Sequence, residues 1–264
     1  MNIIPPALCA VVLLLLLIDL RLLRRAKCGL VVLAYDNIGA PPRNCRRKDL
    51  WTGEKQFRRQ LAWLMRTDFK FISARDLLTG AAPTQSVLLA FRGGYENFYI
   101  NALPALKELK IPALVFLYAD GIGKYDFWRD APKTGPWQNM LTAEQIKEMK
   151  KTGLISFGSC GLCDIDLAAA APEIAANQIS ESALRLKNLH RIAPDFFAWP
   201  AATASPSQSA RLAAAAAYKF IFRAGGTVNA LPLKNKFIDV IAVSGSAGAL
   251  KFRNKVLGKE GGLK

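Results

Sequence analysis

The sequence predicts an α/β fold: a distorted (β/α) barrel of about seven parallel strands, preceded by an N-terminal transmembrane helix. Three observations carry this expectation. Short apolar runs without alternation, such as Gly29-Leu-Val-Val-Leu-Ala-Tyr35, read as strands buried on both faces. Stretches with apolar residues three and four apart lie between them and read as helices with one buried face. The two kinds of segment alternate along residues 28–250, which is the pattern of a parallel sheet covered by helices.

The elements follow in order. Residues 3–18 are continuously apolar and are followed by Asp19, Arg21, Arg24, Arg25 and Lys27. A bilayer takes roughly 20 residues of helix. Residues 3–23 reach that length, so residues 1–27 are expected to form an uncleaved anchor. A signal peptide would carry its charges before the apolar run, the reverse of the order found here. The cationic cluster after the span places the main domain on the cytoplasmic face of an inner membrane, with an extracytoplasmic domain as the alternative.

Residues 29–35 then form the first strand. Phe57, Leu61 and Leu64 mark one face of a helix over 54–66. A short strand over 69–72 precedes Ser73-Ala-Arg-Asp76, which has the form of a capping box. Residues 86–91 are a strand, 97–109 a helix with Pro104 inside it, and 112–117 a strand. Thr142-Ala-Glu-Gln145 caps a helix that ends at Gly153. A strand over 154–157, a long helix over 172–190 and a strand over 195–199 come next. Ser205-Pro-Ser-Gln208 caps an alanine-rich helix with proline at its first position. Strands over 218–222 and 238–243 complete the series. Residues 251–264 are basic and glycine-bearing, and are expected to be a loosely held tail.

The net charge of +16 favours anionic partners, a membrane surface or an acidic glycan, and no nucleic-acid motif accompanies it. The five cysteines, Cys9, Cys28, Cys45, Cys160 and Cys163, are too few and too scattered for a disulfide scaffold and fit a reducing compartment.

Three segments at predicted strand ends share a further pattern: Val87-Leu-Leu-Ala-Phe-Arg-Gly-Gly-Tyr95 with its continuation to Leu117, the run from Met140 to Leu167 containing Gly158-Ser-Cys-Gly-Leu-Cys-Asp164, and Asp195-Phe-Phe-Ala-Trp-Pro200. In order and spacing they resemble the polysaccharide deacetylases (NodB-homology domain, carbohydrate esterase family four). That resemblance implies a metal held by one aspartate and two histidines, and a second aspartate acting as base on metal-bound water. Carried over by position, the base falls on Arg92 and the metal aspartate on Gly93. The two histidines fall on Cys160 and Asp164, and an early histidine on Asp36. A late histidine has no counterpart, because His190 is the chain's one histidine and is expected on the surface of a helix end.

Arginine cannot accept a proton and glycine cannot ligate, so the resemblance implies a domain without catalytic residues and without a resident cofactor. Two alternatives stay open at Cys160-Gly-Leu-Cys163 with Asp164: a rebuilt zinc site, for which Cys45 is the one other cysteine of the barrel, or a redox pair. Small residues filling vacated space is the third reading. Arg92 either pairs with Asp36 or Asp164, or, with the backbone of Gly93 and Gly94, accepts an acidic glycan or glycolipid. Tyr95, Trp128, Trp137 and Trp199 are candidates to stack on sugar rings, Trp128 and Trp137 on a long loop with Tyr125 and Phe127. The expected roles are glycan binding, scaffolding of glycan-synthesis enzymes, active carbohydrate deacetylation or hydrolysis at a centre rebuilt from Cys160, Asp164 and Asp36, or contact with a membrane surface.

Overall fold

The computed structural model describes residues 28–129, 135–200 and 206–259. Seven parallel strands close a barrel: β1 (Gly29–Tyr35), β5 (Gln85–Phe91), β6 (Ala113–Leu117), β7 (Ile155–Ser159), β8 (Phe196–Ala198), β9 (Phe220–Ala224) and β10 (Phe237–Ala242), which returns to β1. A short strand, β4 (Lys70–Phe71), pairs with the first half of β5, below the point where β6 joins it. Two further short strands, β2 (Asn37–Ile38) and β3 (Trp51–Thr52), pair outside the barrel.

The apolar runs are explained by burial on two sides. Along β1, Leu30 and Val32 point into the barrel with Leu88, Leu114, Phe116, Phe196 and Phe222. Val31, Leu33 and Tyr35 point outward, into the layer beneath the helices with Leu61, Leu64, Leu106 and Met149. Strands enclosed in this way have no polar face to alternate with. The barrel is distorted at its last staves. β7 and β8 share one register pair, Ser159 with Phe197, and β10 meets β1 at Leu33–Ile241 and Ala34–Ala242.

The helices are α1 (Glu54–Met65), α2 (Ala74–Thr79), α3 (Leu103–Leu109), α4 (Ala143–Lys151), α5 (Pro172–His190), α6 (Gln208–Ala217) and α7 (Ala249–Val256). Both predicted capping boxes are present, Ser73 with Asp76 and Thr142 with Gln145. Gln60 of α1 is buried and accepts a hydrogen bond from the Tyr35 hydroxyl at 3.0 Å, which ties the first strand to its covering helix.

Four expectations need correction or relocation. The helix expected over 97–109 is split into a π-helical turn, Phe98–Ala102, and α3. Pro104 sits in the first turn of α3, where its missing N–H breaks no helical ladder. Ser207, not Ser205, caps α6, with Pro206 just before the cap. The tail expected from Lys251 instead begins within α7. Phe252, Val256 and Leu257 are buried there, and Arg253 lies 5.6 Å above the ring of Trp63. The i, i+4 spacing of Phe252 and Val256 is a helical signal that the basic composition conceals. The expected transmembrane helix falls outside the described residues. Among those described, no helix is long and apolar enough to cross a membrane.

The seating of α7 gives a direct test. Phe252→Ala removes a ring packed edge-on against Trp63 at 5.8 Å, and large-to-small changes of this kind cost about 3–5 kcal/mol. Chemical denaturation should show that loss, whereas a loosely held tail would leave the midpoint unmoved.

Candidate functional site

All barrel strands run the same way, so their C-terminal ends share one rim, where β/α barrels place their sites. The seven-residue register of β1 on β5 ends with Tyr35 opposite Phe91, and Arg92 N–H donates to the Tyr35 carbonyl at 2.9 Å. The next residues are therefore brought side by side. Arg92 Nε donates to Asp36 Oδ1 at 2.8 Å, and its terminal nitrogen lies 2.6 Å from the same oxygen. The two side chains are 21% and 10% exposed, so the pair is largely removed from water. Burial opposes the charge on Arg92, but Asp36, the Tyr118 oxygen and Asp164 more than offset this and hold the guanidinium firmly protonated.

Gly93 and Gly94 follow with φ of +98° and +73°, values that L side chains rarely adopt. The turn folds Tyr95 back so that its ring lies 2.5 Å from where a Cβ on Gly93 would stand. Asp36, Arg92, Gly93, Tyr95, Tyr118 and Asp164 line one cavity of about 280 Å³.

Sequence reasoning missed two further arginines of this cavity. Arg47 arrives on the loop between β2 and β3 and pairs with Asp49 at 2.9 Å. Arg129 arrives on the long arm after β6, where it pairs at 2.7 Å with Asp126, a fully buried carboxylate that also accepts the Gln138 N–H at 2.7 Å. Burial raises the pKa of Asp126, with Arg129 and that N–H opposing the shift. Neither arginine stands in a recognisable motif, because each reaches the cavity on a loop whose course depends on the whole barrel. Asn37 adds an amide to the wall, and its Oδ1 accepts a hydrogen bond from Asn97 Nδ2 at 2.8 Å. Each of the three arginines thus meets the cavity already beside a carboxylate.

Cys160 and Cys163 do not line this cavity. Cys160 is fully buried among barrel side chains, and burial drives its thiol pKa well up. Cys163 turns the other way, with its sulfur 3.7 Å from Gln178 Nε2 on α5. Cys45 lines the cavity wall on the β2–β3 loop. The four cysteines of the described residues are free thiols. Among the described residues no three His, Cys, Asp or Glu side chains converge as a metal site would require. At the positions where the resemblance puts ligands, a tyrosine ring occupies the side-chain space of residue 93, position 160 carries a buried neutral thiol, and the one carboxylate, Asp164, shares the cavity with the Arg92 guanidinium. These residues do not fit a divalent cation.

The aromatic candidates separate as well. Trp199 is 5% exposed and packs edge-on against Phe197. Trp128 lies under the arm against Tyr118 and Phe127, its indole Nε1 buried without a hydrogen-bond partner among the described residues. The exposed rings are Tyr125 and Trp137, which stack on one another at 4.8 Å, and Phe127. His190, expected on the surface, is half-buried at the end of α5, and its carbonyl accepts from Lys150 Nζ at 3.1 Å.

Two measurements check this arrangement. A double-mutant cycle on Arg92→Ala and Asp36→Ala should give a coupling energy of about 2 kcal/mol, with each single change costing about 3 kcal/mol because it strands a desolvated partner. Additive effects would show that the pair is incidental. Iodoacetamide at neutral pH attacks thiolates. In the folded chain it should modify Cys28 and leave Cys160 intact until denaturant is added; early reaction at Cys160 would contradict the burial described.

Comparison with known proteins agrees with the fold. Residues 79–221, more than half of the chain, match the family model described as polysaccharide deacetylase. The poly-beta-1,6-N-acetyl-D-glucosamine N-deacetylase of Staphylococcus aureus (strain MSSA476) is 33% identical over 114 residues, 42% of this chain. The match spans 37% of that protein's length. The corresponding protein of Staphylococcus epidermidis is 33% identical over 110 residues. Among solved structures, IcaB from Ammonifex degensii superposes with a TM-score of 0.71 at 21% identity, over 89% of this chain and 98% of that one. A de-N-acetylase from Aggregatibacter actinomycetemcomitans gives 0.72 at 16% identity, over 86% and 99%. These structural likenesses establish the fold, and the match over residues 79–221 establishes the descent: the chain belongs to the polysaccharide deacetylase family.

Proposed function

We propose that this domain binds an N-acetylated glycan at its barrel mouth without deacetylating it. The observation that carries the reading is the Arg92–Asp36 pair. Deacetylation needs a group that takes a proton from the attacking water, and a carboxylate is suited to that work. Here the strand end presents a guanidinium, which has no lone pair to offer. The neighbouring carboxylate, Asp36, is engaged by that same guanidinium. Loss of a general base alone costs about two to four orders of magnitude in rate, and a donor set unsuited to a metal adds to this.

The cavity supports a ligand rich in hydroxyl and amide groups. Its arginines sit beside Asp36, Asp49 and Asp126, so their remaining N–H groups can donate without the cavity carrying a large positive charge. A neutral sugar is better matched to such a lining than an acidic one. Tyr125 and Trp137 offer exposed aromatic surface on the arm whose inner side lines the cavity. The Staphylococcus relatives, by name, act on poly-beta-1,6-N-acetyl-D-glucosamine, and an oligomer of this sugar is the ligand to try first.

The full chain should be titrated with β-1,6-linked N-acetylglucosamine oligomers by calorimetry, and released amine measured in parallel with zinc, cobalt or nickel present. Binding without amine above the denatured control is expected. Arg47→Ala should weaken binding roughly ten-fold, the worth of one charge-assisted hydrogen bond. Metal-dependent amine release would overturn the reading, and so would failure to bind any oligomer.

A further inference from the structure

We infer that the end of the barrel opposite the mouth rests on an anionic lipid surface. The inference stands on charge placement and does not depend on the glycan reading. In a parallel barrel the connections leading into the strands all lie at the strand N-terminal end. In this chain they are cationic. Arg66 and Lys70 lie before and at the start of β4, Lys110 before β6, Lys151 before β7, Arg191 before β8 and Lys234 before β10. All six are exposed, and none makes a side-chain hydrogen bond or ion pair among the described residues. The carboxylates in these connections are Asp68 and Asp195, and Asp195 is held by Lys219 at 2.9 Å. The mouth differs: the free bases Arg43, Arg46, Lys48 and Lys55 stand among the exposed acids Glu54, Glu144, Asp166 and Glu173.

Helix dipoles account for some cations at this end, since helix C-termini favour them. Lys150 and Lys236 also donate to carbonyls at the ends of α5 and α6. Of the six free cations, Arg66, Lys110, Lys151 and Arg191 stand at helix C-termini, where the dipole favours them, whereas Lys70 and Lys234 do not. Two of the six, Lys110 and Arg191, hold φ of +54° at helix ends, positions that usually carry glycine.

β1 starts at Gly29 on this face, and in sequence it is preceded by Arg21, Arg24, Arg25 and Lys27 and, before these, by the apolar run of residues 3–18. A bilayer holding that run would lie against the face with the free cations. Anionic headgroups supply the complementary charge, and each cation near such a surface contributes about five-fold to the attraction. In this arrangement the mouth opens away from the lipid.

The full chain should be reconstituted in nanodiscs of phosphatidylcholine alone or with phosphatidylglycerol, and amide hydrogen exchange compared. We expect slower exchange over residues 66–70, 110–112 and 191–195 in the anionic discs, no change over residues 42–50, and reversal of the effect in high salt. Lys70→Glu, Lys110→Glu, Lys151→Glu and Lys234→Glu together should abolish the protection. Arg43→Glu, Arg46→Glu, Lys48→Glu and Lys55→Glu, an equal change of net charge at the other end, should preserve it. Lys110→Gly with Arg191→Gly separates folding from docking: thermal stability should hold or rise while protection falls by more than ten-fold, on the basis of about five-fold per cation. Equal protection in neutral discs, protection of the mouth loop, or survival of the effect after the four basal reversals would overturn the inference. So would a soluble acidic polysaccharide protecting this face in neutral discs as strongly as anionic lipid does.

Discussion

Seven consecutive backbone pairs join β1 to β5, from Gly29 against Gln85 to Tyr35 against Phe91, and the barrel cannot close without them. A parallel ladder of that length has one workable register, because a shift by one residue would turn the inward set of Leu30 and Val32 toward the helices. The register is also what sets Asp36 beside Arg92. One residue past the last pair, both chains have left the ladder with their side chains adjacent, and the Arg92 amide still donates to Tyr35. The chemistry of the mouth is thus fixed by the hydrophobic pattern of two strands.

Charge at the strand end is neutralised locally. A guanidinium carries one positive charge into a setting where Asp36 and Asp164 supply negative ones. The pair of Arg92 with Asp36 holds the loop, and the two glycines that follow let Tyr95 fold into the space a longer side chain would need. The result is a cavity whose carboxylate at the first strand end, Asp36, is engaged by Arg92. Arg129 with Asp126 repeats the device on the arm, where a fully buried carboxylate is matched by one guanidinium and one backbone N–H. A sugar-binding role needs donors and acceptors held in fixed places, and paired side chains of this kind are well held.

The direction of the barrel organises the remaining charge. Strands run toward the mouth and helices run back, so acidic helix starts such as Glu54, Glu144 and Glu173 gather at the mouth. Basic helix ends and the connections beyond them gather at the base. The dipole preference explains the sign at each end. It does not explain why six basal cations stay unpaired among the described residues, or why two of them occupy left-handed backbone positions.

Much of this was legible in the sequence, because it depends on local pattern. Unalternating runs such as Leu-Val-Val-Leu specify strands buried on both faces, and Ser73 with Asp76 or Thr142 with Gln145 specify helix starts through bonds three residues apart. The arginine at a strand end, residue 92, and its choice of Asp36 or Asp164 as partner could be listed in advance. Tertiary structure decided the rest. It selected Asp36 through the β1–β5 register, brought Arg47 and Arg129 to the cavity from loops 82 residues apart in number, and buried Trp128 and Trp199 while leaving Tyr125 and Trp137 exposed. It also turned Cys160 and Cys163 away from one another and seated Phe252 in the core. Local bonds and periodicity are written in neighbouring residues, whereas which side chains share a cavity depends on how distant strands are placed around a closed barrel.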